Sequence, residues 1–114
     1  VMAGVLDRIG HYRPGIPTDP ATTMGAIISK AQWDKIMGYI ELGTREGARL
    51  EYGGKPPEDT RLARGHFVEP TVFTGVTQKM RLANEEIFGP VLSVLRWSDE
   101  NTLFDEVNAV DYGL

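Results

Sequence analysis

The apolar positions of one stretch recur at helical spacing more clearly than anywhere else in the chain. Trp33, Ile36, Met37 and Ile40, with Thr44 continuing the row, fall three and four residues apart. Ser29 and Gln32 stand just before them as an S-x-x-Q capping box, in which each end group satisfies an orphan donor of the first turn. The spacing therefore predicts a helix over about 30–46, stopped by Gly47. Gly38 and Gly43 lie inside it at a cost of roughly 1 kcal/mol each against Ala, which suggests close packing against a neighbour. Val1, Val5, Leu6 and Ile9 share one side of an earlier helical stretch, Val1 to about Ile9. Arg13–Gly25 carries three prolines and two glycines and reads as an extended surface loop.

The pattern then changes period. Arg49–Tyr52 predicts a short strand closed by Gly53-Gly54, and Lys55–Gly65 a polar loop. His66–Val76 predicts a strand whose Pro70 implies an edge position or a bend. Val91–Trp97 is apolar on both faces, the pattern of a fully covered strand. A helix beginning near Asp99 has Leu103, Phe104 and Val107 as its apolar side. Alternating helices and strands predict an α/β fold, with helices packed on a small, mostly parallel sheet.

At 114 residues the chain has the length of one domain, residues 1–114. Three strand candidates are few for a strand covered on both faces, and the chain runs out at apolar Tyr112 and Leu114. The expectation is a piece of a larger domain. The net charge is −4 with no basic stripe, which argues against a nucleic-acid partner. No apolar segment has the length of a membrane span, and the first residues lack the pattern of a secretory signal. There is no cysteine, so neither a disulfide nor a thiolate nucleophile exists within these residues; a cytoplasmic origin is expected. His11 and His66 are far apart with no companion thiols, and no metal site is expected.

Asn84–Val91, Asn-Glu-Glu-Ile-Phe-Gly-Pro-Val, places two adjacent carboxylates against the start of an apolar run. Taken alone, Glu85 and Glu86 are either a solvated strand approach or a device for holding something. Met24–Ser29, Tyr39–Gly54, Gly65–Val76, Met80–Trp97 and the closing Ala109–Leu114 together resemble, in this order, the NAD(P)-dependent aldehyde dehydrogenase superfamily. The resemblance covers nearly the whole chain from about Arg13. Its most specific parts are Pro-Thr-Val-Phe-Thr-Gly-Val and Glu-Glu-Ile-Phe-Gly-Pro-Val.

The resemblance implies a several-hundred-residue enzyme with a cofactor domain, a catalytic domain and an oligomerisation arm, working as a cytoplasmic homo-oligomer. This chain resembles an internal part of the catalytic domain. The family's catalytic cysteine, general-base glutamate and pyrophosphate-binding turn all lie upstream of Val1. An aldehyde is oxidised to a carboxylic acid with NAD or NADP as hydride acceptor, and the isolated chain is expected to be inactive. The motifs lean towards the broad-specificity or betaine-aldehyde-like branches. The alternative is a non-catalytic remnant acting as a binding or self-associating module through open sheet edges.

The resemblance also assigns residues. Glu86 matches the glutamate that accepts hydrogen bonds from the nicotinamide ribose hydroxyls, and Phe88 the phenylalanine beside the nicotinamide ring. A carboxylate has two acceptor oxygens and suits a vicinal diol. Residues two apart on an extended chain share a face, so both can meet one ligand. Gln32 and Lys35 match positions that lie near the cofactor's adenosine ribose in some members; capping alone would also account for Gln32, and a solvated helix face for Lys35. Glu85 is read as structural, with Asn84 tying down the loop. Trp33 and Trp97 are read as packing residues.

Overall fold

The computed structural model describes residues 1–112; the last two positions of the Ala109–Leu114 motif lie outside them. Helix α1 spans Met2–Ile9 and α2 Lys30–Arg45. Strand β1 (Arg49–Tyr52), a single 3-10 turn (Thr60–Leu62) and β2 (Thr71–Val76) follow. The short α3 (Arg81–Asn84), β3 (Val91–Leu95) and α4 (Glu100–Asn108) complete the described chain. The sequence-derived order of elements is thus met, with α3 added.

The strands form one sheet in the order β1-β2-β3. β1 runs antiparallel to β2, whereas β3 runs parallel to it, in the register Thr71↔Val91, Val72↔Leu92 and Phe73↔Ser93. The α/β class holds, and the sheet is mixed, with one pair of each kind. α2 covers one face. Ile36 and Ile40 join Phe73, Val76, Val68, Ala48, Leu82 and Ile87 in a single buried cluster. Gly43 lets this happen: a Cβ there would sit 2.9 Å from Leu82 Cδ2 and 3.2 Å from Phe73 Cζ. Gly38, by contrast, faces open space.

Two readings of the strands are corrected. Pro70 does not mark an edge: it precedes β2, the central strand, whose first amide, Thr71 N–H, donates to Pro90 O at 2.8 Å. The missing donor of proline thus falls before the ladder begins. β3 is not the covered strand its apolar run predicted. It lies at the sheet edge, and Leu92 is 44% exposed. Trp97 is likewise exposed rather than packed, as are Phe104 and Val107 on α4. The apolar pattern of this C-terminal part is real; Val91 and Leu95 pack against the core cluster, whereas Leu92, Trp97, Phe104 and Val107 stay exposed.

Candidate functional site

The segment Glu85–Pro90 joins α3 to β3 and crosses the N-terminal half of α2. Its approach is fixed from both sides. Glu46, just past α2, accepts from the backbone N–H groups of Arg81 (3.0 Å) and Leu82 (3.4 Å), satisfying the free donors at the start of α3. Asn84 closes the turn before it, its Nδ2 donating to Gln78 O (2.6 Å) and Met80 O (2.8 Å). Asn84 therefore ties down the loop as its sequence position suggested.

The adjacent glutamates face different surroundings. Glu85 lies within a three-residue network. Arg81 Nε donates to its Oε1 at 2.6 Å and Arg81 Nη2 to its Oε2 at 2.9 Å; the Tyr39 hydroxyl donates to Oε2 at 2.5 Å. The Arg81 hydrogen bonds, with that from Tyr39, pull the Glu85 carboxyl down to about 2. The same contact with Glu85 raises the Tyr39 hydroxyl above its ordinary value. Glu85 is thus a structural group, anchored to α2 through Tyr39. Sequence reasoning missed Arg81, Tyr39 and Glu46. The Arg81–Glu85 spacing of four was a legible signal; the long-range partners left none.

Glu86 is exposed and, among the described residues, its carboxylate makes no hydrogen bond or ion pair. Ile87 turns inward into the core, and Phe88 turns outward with 74% of its surface exposed. Glu86 and Phe88 are thus both exposed, flanking the buried Ile87, although the segment is not extended at Phe88 as the spacing had implied. Phe88 has a φ of 57°, in the left-handed region that a bulky residue enters only when its surroundings hold it there. The next residue must be small, because a Cβ on Gly89 would lie 2.6 Å from Ile36 Cδ1 and Cγ1.

Gln32 is brought to the same place. Its backbone N–H donates to Ser29 Oγ at 3.2 Å, the expected cap. Its side chain, however, does not turn back to complete the box. Gln32 Nε2 reaches across to the loop and donates to Ile87 O (2.9 Å) and Phe88 O (3.0 Å). Lys35, one turn further along α2, is exposed and stands 6.0 Å from the centroid of the Tyr39 ring. It borders a shallow depression of about 220 Å³ shared with Asp34, Gly38, Tyr39, Leu42, Arg45 and Arg81. The structure therefore gathers Gln32, Glu86 and Phe88 on one loop–helix junction, with Lys35 on its flank.

Chemically, the junction offers an exposed carboxylate for hydroxyl donors and, two residues on, an open aromatic ring. That set fits the ribose-and-ring end of a nicotinamide cofactor. No cluster of three or more His, Asp or Glu able to hold a metal ion occurs among the described residues, and no helix there is long and apolar enough to cross a membrane.

Comparison with known proteins extends over the whole chain. The model of the aldehyde dehydrogenase family matches residues 1–114. An aldehyde dehydrogenase of Talaromyces stipitatus is 54% identical over 100% of this chain and 23% of its own length. A betaine aldehyde dehydrogenase of Mesorhizobium japonicum is 49% identical over 96% of this chain and 23% of its own. Among solved structures, an aldehyde dehydrogenase of Mycobacterium tuberculosis complexed with NAD+ superimposes with a TM-score of 0.92 at 42% identity, covering 99% of this chain and 23% of that one. The chain spans about a quarter of the length of the relatives it matches.

Proposed function

The chain belongs to the aldehyde dehydrogenase family, and we propose that its 114 residues are a segment of the catalytic domain of an NAD-dependent enzyme oxidising an aldehyde to a carboxylic acid. The family membership and the similarity to a relative complexed with NAD+ support this reading. The observation that carries the site is Glu86. It is an exposed carboxylate without a hydrogen-bond or ion-pair partner among the described residues, two positions before the exposed ring of Phe88, on a loop whose other carboxylate, Glu85, is held by Arg81 and Tyr39. Glu86 would accept the two hydroxyls of the nicotinamide ribose, each charge-assisted bond contributing about 1.5–3 kcal/mol. Phe88 would lie beside the nicotinamide ring and restrict its position. Lys35 and the Oε1 of Gln32 would complete the contacts from α2. When bound, the cofactor supplies the hydride acceptor.

These residues bind and orient; they do not perform the chemistry. Without cysteine the chain has no thiolate for attack on an aldehyde, so the 114 residues alone are expected to form no NADH with any aldehyde. The relatives' names include betaine aldehyde dehydrogenases, which favours that branch for the substrate. The complete enzyme is proposed to be a cytoplasmic homo-oligomer, a reading supported by the family resemblance.

Carboxyl-selective labelling tests the site. Glu86 should be labelled readily in the isolated chain and be protected by NAD+ in the complete enzyme. Equal labelling of Glu86 with and without saturating NAD+ would remove it from the cofactor face.

A further inference from the structure

Gln32 makes contacts that neither capping nor cofactor binding requires. Both protons of its Nε2 are used, one on Ile87 O and one on Phe88 O, across more than fifty residues of sequence. In an extended chain successive carbonyls point to opposite sides. They converge on one amide nitrogen only where the residue between the two peptide planes leaves the extended region. Phe88 is that residue, and its φ is 57°. The unfavourable backbone and the clamp therefore occur together, and Gly89, pressed against Ile36, continues the turn.

We propose that Gln32 is a positioning residue: its side-chain amide holds Phe88 in the left-handed conformation and thereby keeps Glu86 and Phe88 both exposed, flanking the buried Ile87. Tyr39, two turns further along α2, holds the beginning of the loop through Glu85. The segment carrying Glu86 is thus pinned to one helix at both ends, and the free carboxylate lies between the pins. The consequence for catalysis rests on the reading of Glu86 and Phe88 as the cofactor face; the clamp itself does not.

Gln32→Glu separates the clamp from a capping role by sign. Gln32 is the third residue of α2. A carboxylate there completes a capping box and interacts favourably with the helix N-terminus, so capping predicts equal or greater stability at neutral pH. A clamp predicts the reverse, because an ionised carboxylate would face two carbonyl oxygens with no proton to donate. The folded state would then favour the protonated carboxyl and raise its pKa. Stability relative to wild type would be greatest below the unfolded value, about 4.3, and would fall as pH rises through the raised value.

Besides Glu41 and Arg45, paired at the far end of α2, the charged groups on the elements that meet here are Lys30, Asp34 and Lys35 on α2 and Glu85 and Glu86 on the loop. Lys30 is paired with Asp34, and Glu85 with Arg81. Comparison with wild type at each pH subtracts their titration. Urea midpoints of the 114-residue chain between pH 4 and 8 give the reading. Gln32→Glu should fall below wild type at pH 8 and approach it at pH 4. Gln32→Met, which keeps the length and loses both donors, should lie below wild type by the same amount at every pH. Gln32→Glu matching or exceeding wild type at pH 8 would overturn the clamp, as would an unchanged midpoint for Gln32→Met. In the complete enzyme, Gln32→Met should slow hydride transfer severalfold with little change in the aldehyde KM, and Gln32→Glu, which keeps an acceptor oxygen for the cofactor but loses both Nε2 donors, should slow it as well. A normal hydride rate beside the expected midpoints would leave the clamp standing and overturn the cofactor reading instead.

Discussion

Glu85 and Glu86 are chemically identical neighbours, and the structure gives them different partners. With Arg81 and the Tyr39 hydroxyl on it, the Glu85 carboxyl titrates near 2, below its ordinary 4.5. A depressed carboxyl stabilises the fold above its unfolded pKa, and that contribution is lost as pH falls through the folded value. The loop anchor should therefore persist at pH 5 and fail between about pH 4 and pH 2. In acid-unfolding curves, Glu85→Gln should flatten that part of the profile; an unaltered profile would mean that Arg81 and Tyr39 do not hold Glu85 in solution. The sequence distinguished the two glutamates only through family resemblance. The local pattern showed two charges before an apolar run. Partners such as Tyr39, 46 positions away, become visible only when α2 lies across the loop.

Helix α2 was the most legible element because its start and its apolar face are both local properties. Ser29 caps it as the motif indicated, and Ile36 and Ile40 are buried. That a glycine of α2 permits close packing was legible, but not that this glycine is Gly43 and not Gly38, because that depends on what packs against each. Gly38 faces open space on an exposed helix surface, so Gly38→Ala should stabilise the chain by about 0.4–1 kcal/mol. Gly89 belongs to the loop and meets the same helix; its Cβ would overlap Ile36, so Gly89→Ala should destabilise by about 1–3 kcal/mol. Paired urea melts decide both, and the prediction is their opposite sign. If both substitutions moved the midpoint the same way, the close approach of loop to helix would be wrong.

For the chain as a unit, the α/β class followed from alternating periodicities, but which strand lies inside did not. Val91–Trp97 reads as a covered strand, but the strand it forms, Val91–Leu95, sits at the edge; His66–Val76 reads as an edge or bent strand because of Pro70, but the strand it forms, Thr71–Val76, is central. Hydrophobicity reports what a surface needs covered, and not whether the residues in hand supply the cover. The exposed Leu92, Trp97, Phe104 and Val107 fit a segment about a quarter as long as its relatives. Its proposed contribution to the reaction is then a prepared surface, Glu86 and Phe88 on a loop that α2 holds in place.

The most direct test of that claim is the pre-steady-state rate of hydride transfer in the complete enzyme carrying Glu86→Gln. An amide in place of the carboxylate loses the charge assistance to two hydroxyls, about 1 kcal/mol for each bond. The hydride step should slow by about tenfold or more, with aldehyde binding little changed. A hydride rate equal to wild type would contradict that claim and return Glu86 to the solvated approach of a strand.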